Sequence, residues 1–308
     1  MAERGRRVRF WVALGACLAL PASLCHAAAT SAAPFLTIPV GGRPAALGGA
    51  YSALATDAYA TVWNPAGLGS LSGPQLAAMH LDYAGSIGYE FAGLAIPAGP
   101  LAGLGLSAQY LHPKDEVSRD ATGADIGRFS SHYAAYSLAY GRDLGRGWSA
   151  GAAVKLIDAA LGETSARAYG ADFGALYRAS PRVTLAAAAA NLGTKLKFLQ
   201  DGQRLPENYR LGAAFAAAPG WLLSAEALYD RSEDAAGRVG VEWKPLPALA
   251  VRAGYRSETA GIPGLSGLTA GVGLELLGQK FDYAWVPMGD LGPTQYFSLL
   301  IAFGGARK

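Results

Sequence analysis

The sequence has 308 residues, 51% of them hydrophobic and only 16% charged, against about 25% charged in an ordinary soluble domain. Its formal charge of +3 vanishes when residues 1–29 are set aside, since they hold four of the 26 Lys and Arg and one of the 23 Asp and Glu, leaving 22 of each. Both cysteines, Cys17 and Cys25, go with them, so the remaining chain excludes disulfides and thiolate metal sites, and its neutrality argues against nucleic acid as a partner.

Residues 1–29 read as an export signal. Arg4, Arg6, Arg7 and Arg9 form a basic start, Trp11 to Leu24 is an apolar run too short to span a bilayer, and Ala27 to Ala29 offer a small-residue cleavage site. Leu24 stands where a lipoprotein signal would carry a small residue before Cys25, which favours ordinary cleavage.

Residues 34–74 do not alternate. Pro34 to Arg43 reads as extended, Pro44 to Gly49 as turn-prone, and Ala50 to Tyr59 as a short helix. Trp63, Asn64, Pro65, Ala66 and Gly67 follow. In this stretch Asn64 suits a cap, Pro65 fixes φ, and Gly67 allows a left-handed turn, so turn architecture is preferred over direct ligand contact. The region is too long and too apolar for a free tail.

From residue 75 the period is two. Leu104, Leu106, Ala108 and Tyr110 share a face opposite Gly103, Gly105, Ser107 and Gln109, and Trp148 to Leu156 repeat the pattern. Counting such runs predicts fourteen strands, at 75–83, 88–97, 103–110, 129–140, 148–157, 168–178, 183–191, 209–216, 221–229, 236–243, 249–256, 268–276, 279–286 and 295–303. Each is near the ~9–11 residues a tilted strand needs to cross a bilayer. Aromatics recur at ends of the apolar faces, at Tyr110, Trp148, Tyr177, Trp221, Tyr229, Trp243, Tyr255 and Trp285, as girdles at two membrane interfaces require. The expectation is an all-β, 14-stranded antiparallel transmembrane barrel over 75–303, with residues 30–74 as a plug in its lumen and 304–308 as a tail. Short turns alternating with longer polar loops, and an even strand count, place both termini in the periplasm of an outer-membrane protein.

The run from Phe35 to Tyr51 (FLTIPVGGRPAALGGAY), followed by Asp57 and by Trp63 to Leu68 (WNPAGL), resembles the amino terminus of the PorV/PorQ family. That family is similar to the FadL-type outer-membrane transporters of long-chain fatty acids and aromatic hydrocarbons. The resemblance covers roughly residues 34–70. It implies that Trp63 to Gly67 form or gate a lumenal hatch. It also implies either of two roles, passage of small hydrophobic molecules or binding of type IX secretion cargo and translocon components through loops 111–128 and 192–208. The last strand, which puts Phe297, Leu299, Ile301 and Phe303 on one face, resembles the signal read by the barrel-insertion machinery, an assembly partner alongside outer-membrane lipid.

No catalytic constellation stands out. His80 and His132 fall within strands, with a lumenal or interfacial place expected, and His112 falls in a loop with Lys114, Asp115 and Glu116. None has paired metal spacing or a nucleophile motif beside it, so neither enzyme activity nor a cofactor is expected. Charges on the polar faces are expected to face the lumen: Asp82, Lys155, Asp172, Arg178, Arg210, Glu226, Arg238, Glu242, Arg252, Arg256, Glu275, Lys280 and Asp282. A neutralising network between wall and plug is preferred over a selectivity ladder.

Overall fold

Residues that alternate along the chain form strands, because successive side chains of a pleated backbone point to opposite faces. The computed structural model describes residues 31–83, 87–114, 117–119, 122, 125–128, 131–198, 201–231, 234–259, 267–289 and 292–304. The export signal lies outside the described residues, as does the tail beyond Gly304. In chain order the strands are β1 (Gln75–Tyr83), β2 (Ile87–Pro97), β3 (Ala102–Pro113), β4 (Val117–Arg119), β5 (Asp125–Arg128), β6 (Ser131–Gly145), β7 (Trp148–Leu161), β8 (Thr164–Ser180) and β9 (Val183–Gly193). They continue as β10 (Leu196–Phe198), β11 (Asp201–Gln203), β12 (Asn208–Ala218), β13 (Trp221–Asp230), β14 (Asp234–Leu246), β15 (Leu249–Arg256), β16 (Leu268–Leu276), β17 (Gln279–Pro287) and β18 (Pro293–Ala302).

Fourteen of these close into an antiparallel barrel, with β1 paired to both β2 and β18. The other four make two separate hairpins, β4–β5 and β10–β11, within the long connections after β3 and β9. Closure leaves no unpaired strand edge, which is what a sheet needs where no water can satisfy its backbone.

Register separates the two faces of the wall. Across β1, β2, β3, β6, β7 and β8 one outward row reads Leu76, Leu94, Leu106, Leu138, Val154 and Ala171, wholly apolar. Four residues further from the short turns, the outward row reads His80, Glu90, Tyr110, Ala134, Asp158 and Arg167. An exposed apolar band bounded by polar and aromatic residues is the surface of a barrel made to face lipid. Near the short turns, Trp148 stacks on Tyr177 with centroids 4.5 Å apart and Trp221 on Trp243 at 5.5 Å, both pairs facing outward.

Inside the wall lies the chain from Ala32 to Leu71. Its backbone reaches different sides of the barrel: Gly42 N–H donates to Ser298 Oγ on β18, Gly48 N–H to Thr269 Oγ1 on β16, and Ser52 N–H to Glu226 Oε2 on β13. Asn64 Nδ2 donates to the Ala175 carbonyl on β8. Phe35, Leu47, Tyr51 and Leu68 are almost wholly buried there. At about 1.5–3 kcal/mol for each large apolar side chain removed from water, these four hold the segment in place before any polar bond is counted.

The segment's local structure departs from the sequence expectation. Ala50 to Tyr59 is not a helix. The helices are Gly42–Ala46 and Ala60–Trp63, with 3-10 turns at Pro34–Thr37 and Pro65–Ser70. Prolines lie in the first turns of three of these four, where a missing N–H costs nothing. Asn64 caps the last of them, its Oδ1 accepting from the Ala66 N–H at 3.2 Å. Gly67 is not left-handed; it is required because a Cβ there would collide with the Ala55 carbonyl.

The wall carries the matching imprint. A Cβ at Gly103, Gly141, Gly151 or Gly174 would overlap the backbone of Pro65 or Leu68 or the side chain of Asn64, and at Gly212 or Gly254 it would overlap Ser52 or Gly48. Inward-facing glycines thus let the segment's backbone lie directly on the sheet.

Candidate functional site

The segment is tied to β14, β15 and β17 by a buried chain of charge. Arg43 meets Glu242 with both arms of its fork, Nε to Oε2 at 2.8 Å and Nη2 to Oε1 at 3.0 Å. Arg252 Nε reaches the same Oε2 at 2.6 Å, and its Nη1 reaches Asp282 Oδ1 at 2.6 Å. The Arg43 guanidinium also lies over the Tyr51 ring, 5.7 Å from its centroid, and the Tyr51 hydroxyl donates to Asp57 Oδ2 at 2.8 Å. Burial pushes the Asp57 carboxyl above its ordinary value against the opposing pull of that bond and of Arg43.

On the opposite wall Lys155 Nζ lies 2.7 Å from Asp172 Oδ2 and donates to Asn191 Oδ1 at 2.8 Å. Asn191 sits in the left-handed region (φ +62°) where the β8–β9 register shifts, and its backbone N–H donates to Asp172 Oδ1. That bulge turns a backbone donor toward the lumen.

Between these anchors, on the long-loop side of the segment, lies a cavity of about 170 Å³. One side is apolar and comes largely from the segment: Leu36, Ile38, Val40, Val62 and Trp63, with Val286 and Tyr296 from the wall. The other side is polar, with Asn208, Arg210, Asp230, Arg238, Arg256 and Glu258. Trp63 is fixed by an Nε1 bond to the Val40 carbonyl at 2.9 Å, and its ring lies under the Arg210 guanidinium at 5.2 Å. Arg210 donates from Nε to Asn208 Oδ1 and from Nη1 to the Trp63 carbonyl, but among the described residues no carboxylate is within ion-pair distance of it. Arg238, by contrast, is held by Glu258 at 2.7 Å. A volume near 170 Å³ matches the ~150 Å³ of an apolar cavity able to hold a benzene ring.

Of the residues singled out in the sequence, Trp63, Asn64, Pro65, Ala66 and Gly67 are all buried inside the barrel. Lys155, Asp172, Arg210, Glu226, Arg238, Glu242, Arg252 and Asp282 are buried on the inner face. Arg256 is half-buried at the cavity, whereas Arg178 is exposed and Glu275 is half-buried near the short turns. Lys280 is half-buried beside Glu275 in the ladder. Asp82 faces outward, contrary to expectation, and His80 takes the interfacial of its two expected places, because Met79 and Leu81 take the inward positions against the apolar segment. They pair with Lys114 and Glu90, both at 2.7 Å. His132 also faces outward, 3.5 Å from Asp158. His112 is in β3 rather than a loop, its ring beside Tyr110. Among the described residues no group of three or more His, Cys, Asp or Glu is arranged to hold a metal. Arg43, Asn191 and Asn208 are polar partners that the sequence did not single out: Arg43 lies in a run read for turns and resemblance, and Asn191 and Asn208 lie at strand ends and carry no charge.

A model of an uncharacterised protein family (UPF0164) matches residues 23–173. No curated protein matches the sequence. Among solved structures, the Pseudomonas putida toluene transporter TodX is 13% identical with a TM-score of 0.57, over 83% of this chain and 95% of that one. The CymD monoaromatic hydrocarbon channel is 12% identical with a TM-score of 0.63, over 86% and 98%. A Pseudomonas aeruginosa FadL homologue is 14% identical with a TM-score of 0.57, over 83% and 95%. At these identities the likeness is one of fold: a closed 14-stranded barrel.

Proposed function

We propose that this chain is an outer-membrane channel for small hydrophobic molecules, with the segment 30–74 as its plug and both termini in the periplasm. The observation that carries the reading is the lumenal cavity, apolar toward Trp63 and the plug and polar toward Arg210, of a size suited to one aromatic ring or a short alkyl stretch. The overall likeness to barrels named for toluene and monoaromatic hydrocarbons supports it. Trp63 to Gly67 close the lumen on the short-turn side, and a ligand resting on Trp63 would displace the few waters that the apolar lining holds poorly.

The test is uptake of labelled toluene and long-chain fatty acids by cells with and without the gene, and with Trp63→Phe. Uptake should fall in the deletion strain and recover less fully with the variant, which keeps an aromatic ring but loses the Nε1 bond to Val40. Unchanged uptake across the panel would sink the channel reading.

A second reading has one observation in its favour. Every neighbouring pair of barrel strands is hydrogen-bonded, so the ladder has no lateral gap, and two connections on the long-loop side carry hairpins of their own, β4–β5 and β10–β11. That arrangement suits a PorV-like protein that presents loops to secretion cargo or translocon proteins. Co-purification with such proteins, together with unaltered uptake, would favour it.

A further inference from the structure

We propose that the short-turn rim of the barrel, from the β6–β7 turn round to the β14–β15 turn, binds the phosphate headgroups of anionic phospholipids. Arg142, Arg146, Arg178 and Arg182 are exposed on this rim, and Lys244 continues the arc. The turns are contiguous. Arg178 N–H donates to the Gly147 carbonyl, Ala216 N–H to the Arg182 carbonyl, and Lys244 N–H to the Gly220 carbonyl, all at 2.7 to 2.9 Å. Five cations thus crowd one arc with only Asp143 and Glu275 to oppose them, a formal excess of +3.

Pairing sharpens the contrast between the two ends. On the long-loop side Lys114, Arg167, Arg231 and Arg238 each have a carboxylate at 2.7 to 2.9 Å. Among the described residues none of the four rim arginines has one within ion-pair distance, and Lys244 reaches Glu275 only at 3.7 Å. A guanidinium fork matches a phosphate with two parallel hydrogen bonds, so these arginines are supplied with donors that the chain itself does not use.

The apolar residues of the rim point to a lipid rather than an acidic protein as the source of the phosphate. Leu144 lies between Arg142 and Arg146 and is 62% exposed; Leu277, in the β16–β17 turn next beyond the arc, is 99% exposed. The outward pair Trp148–Tyr177 lies beside the arginine-bearing turns, and the pair Trp221–Trp243 lies beside Lys244. Indole at the headgroup level, arginine above it and leucine reaching back toward the acyl chains form a headgroup-binding collar, and near such a surface each cation is worth about a fivefold change in affinity.

The experiment uses the full mature chain reconstituted into vesicles of phosphatidylglycerol and phosphatidylcholine, in a Trp285→Phe background so that the outward indoles are those of the rim. Tryptophan quenching by brominated phosphatidylglycerol is compared with quenching by brominated phosphatidylcholine. The relative affinity should favour phosphatidylglycerol and fall about fivefold for each of Arg142→Gln, Arg146→Gln and Arg182→Gln. Arg167→Gln and Arg231→Gln, at the other end, should leave it unchanged. Equal quenching by the two lipids, retention of the preference by the triple variant, or an equal loss in the other-end variants would overturn the proposal. Should the triple variant fail to fold, a salt titration of the parent serves instead: the preference must weaken as the Debye length shrinks from about 10 Å at 0.1 M to about 3 Å at 1 M.

Discussion

Glu242→Gln removes the carboxylate that two arginines share. In the parent, Arg43 and Arg252 converge on Glu242 while Asp282 takes the second arm of Arg252, so two guanidinium groups face two carboxylates. The variant leaves two cations and one anion in a site where the Glu242 side chain is only 3% exposed. Removing one partner of a buried pair costs about 3–5 kcal/mol. The Arg43 side chain keeps 20% of its exposure and so retains some access to solvent, which selects the lower end, about 3 kcal/mol. That is roughly a hundredfold in an equilibrium constant.

The cost should fall on docking of the plug, since Arg43 belongs to the plug, Glu242 to the wall, and the wall's strand ladder closes without the plug's help. Hydrogen exchange at the amides of Gly42–Ala46 therefore reads it directly, with about a hundredfold more opening while the strand amides keep their protection. Arg43→Gln combined with Glu242→Gln leaves Arg252 and Asp282 as a balanced pair, so the double variant should open less than Glu242→Gln alone. Opening below tenfold in the single variant, or losses that simply add in the double, would refute the claim that charge balance holds the plug.

Gly141→Ala would drive a Cβ into the Pro65 carbonyl and Leu68, so it should cost about 1–3 kcal/mol and raise ion leakage through reconstituted barrels. Gly237→Ala meets nothing within 4 Å and should be neutral or stabilising in the same conductance and melting assays; equal effects would discredit the imprint argument. Asp57→Asn should stabilise the plug. Burial raises the native carboxyl above its ordinary 3.8, so the native state holds its proton longer and stability falls as pH rises from the unfolded value through the native one. The gain of the Asn variant over the parent should grow across that window, level off above it, and vanish at lower pH; a gain independent of pH would exclude this origin.

What the sequence made legible was local. Period-two runs located all fourteen barrel strands, β1, β15 and β16 to the residue, because alternation is written in neighbouring positions. The direction in which each face points is a different matter. Polar-in, apolar-out presumes a wet lumen, and it holds for β14 and β15, where Glu242 and Arg252 face inward. On β1 and β2 the inward residues are Met79, Leu81, Tyr89 and Phe91, packed on Phe35 and Tyr59 of the plug, and the charges His80, Asp82 and Glu90 are turned outward. The plug's own contacts join residues such as Arg43 and Glu242, 199 positions apart, for which no local pattern exists. Yet the plug leaves traces in the wall. Gly103, Gly141, Gly151 and Gly174 all occupy inward positions, and each lies where plug backbone or Asn64 presses closest. A wet lumen gains nothing from a run of inward glycines, since each weakens the strand that carries it. Glycines on the inner face together with apolar residues on the inner face of β1 and β2 therefore argue for a lumen filled by the chain's own backbone.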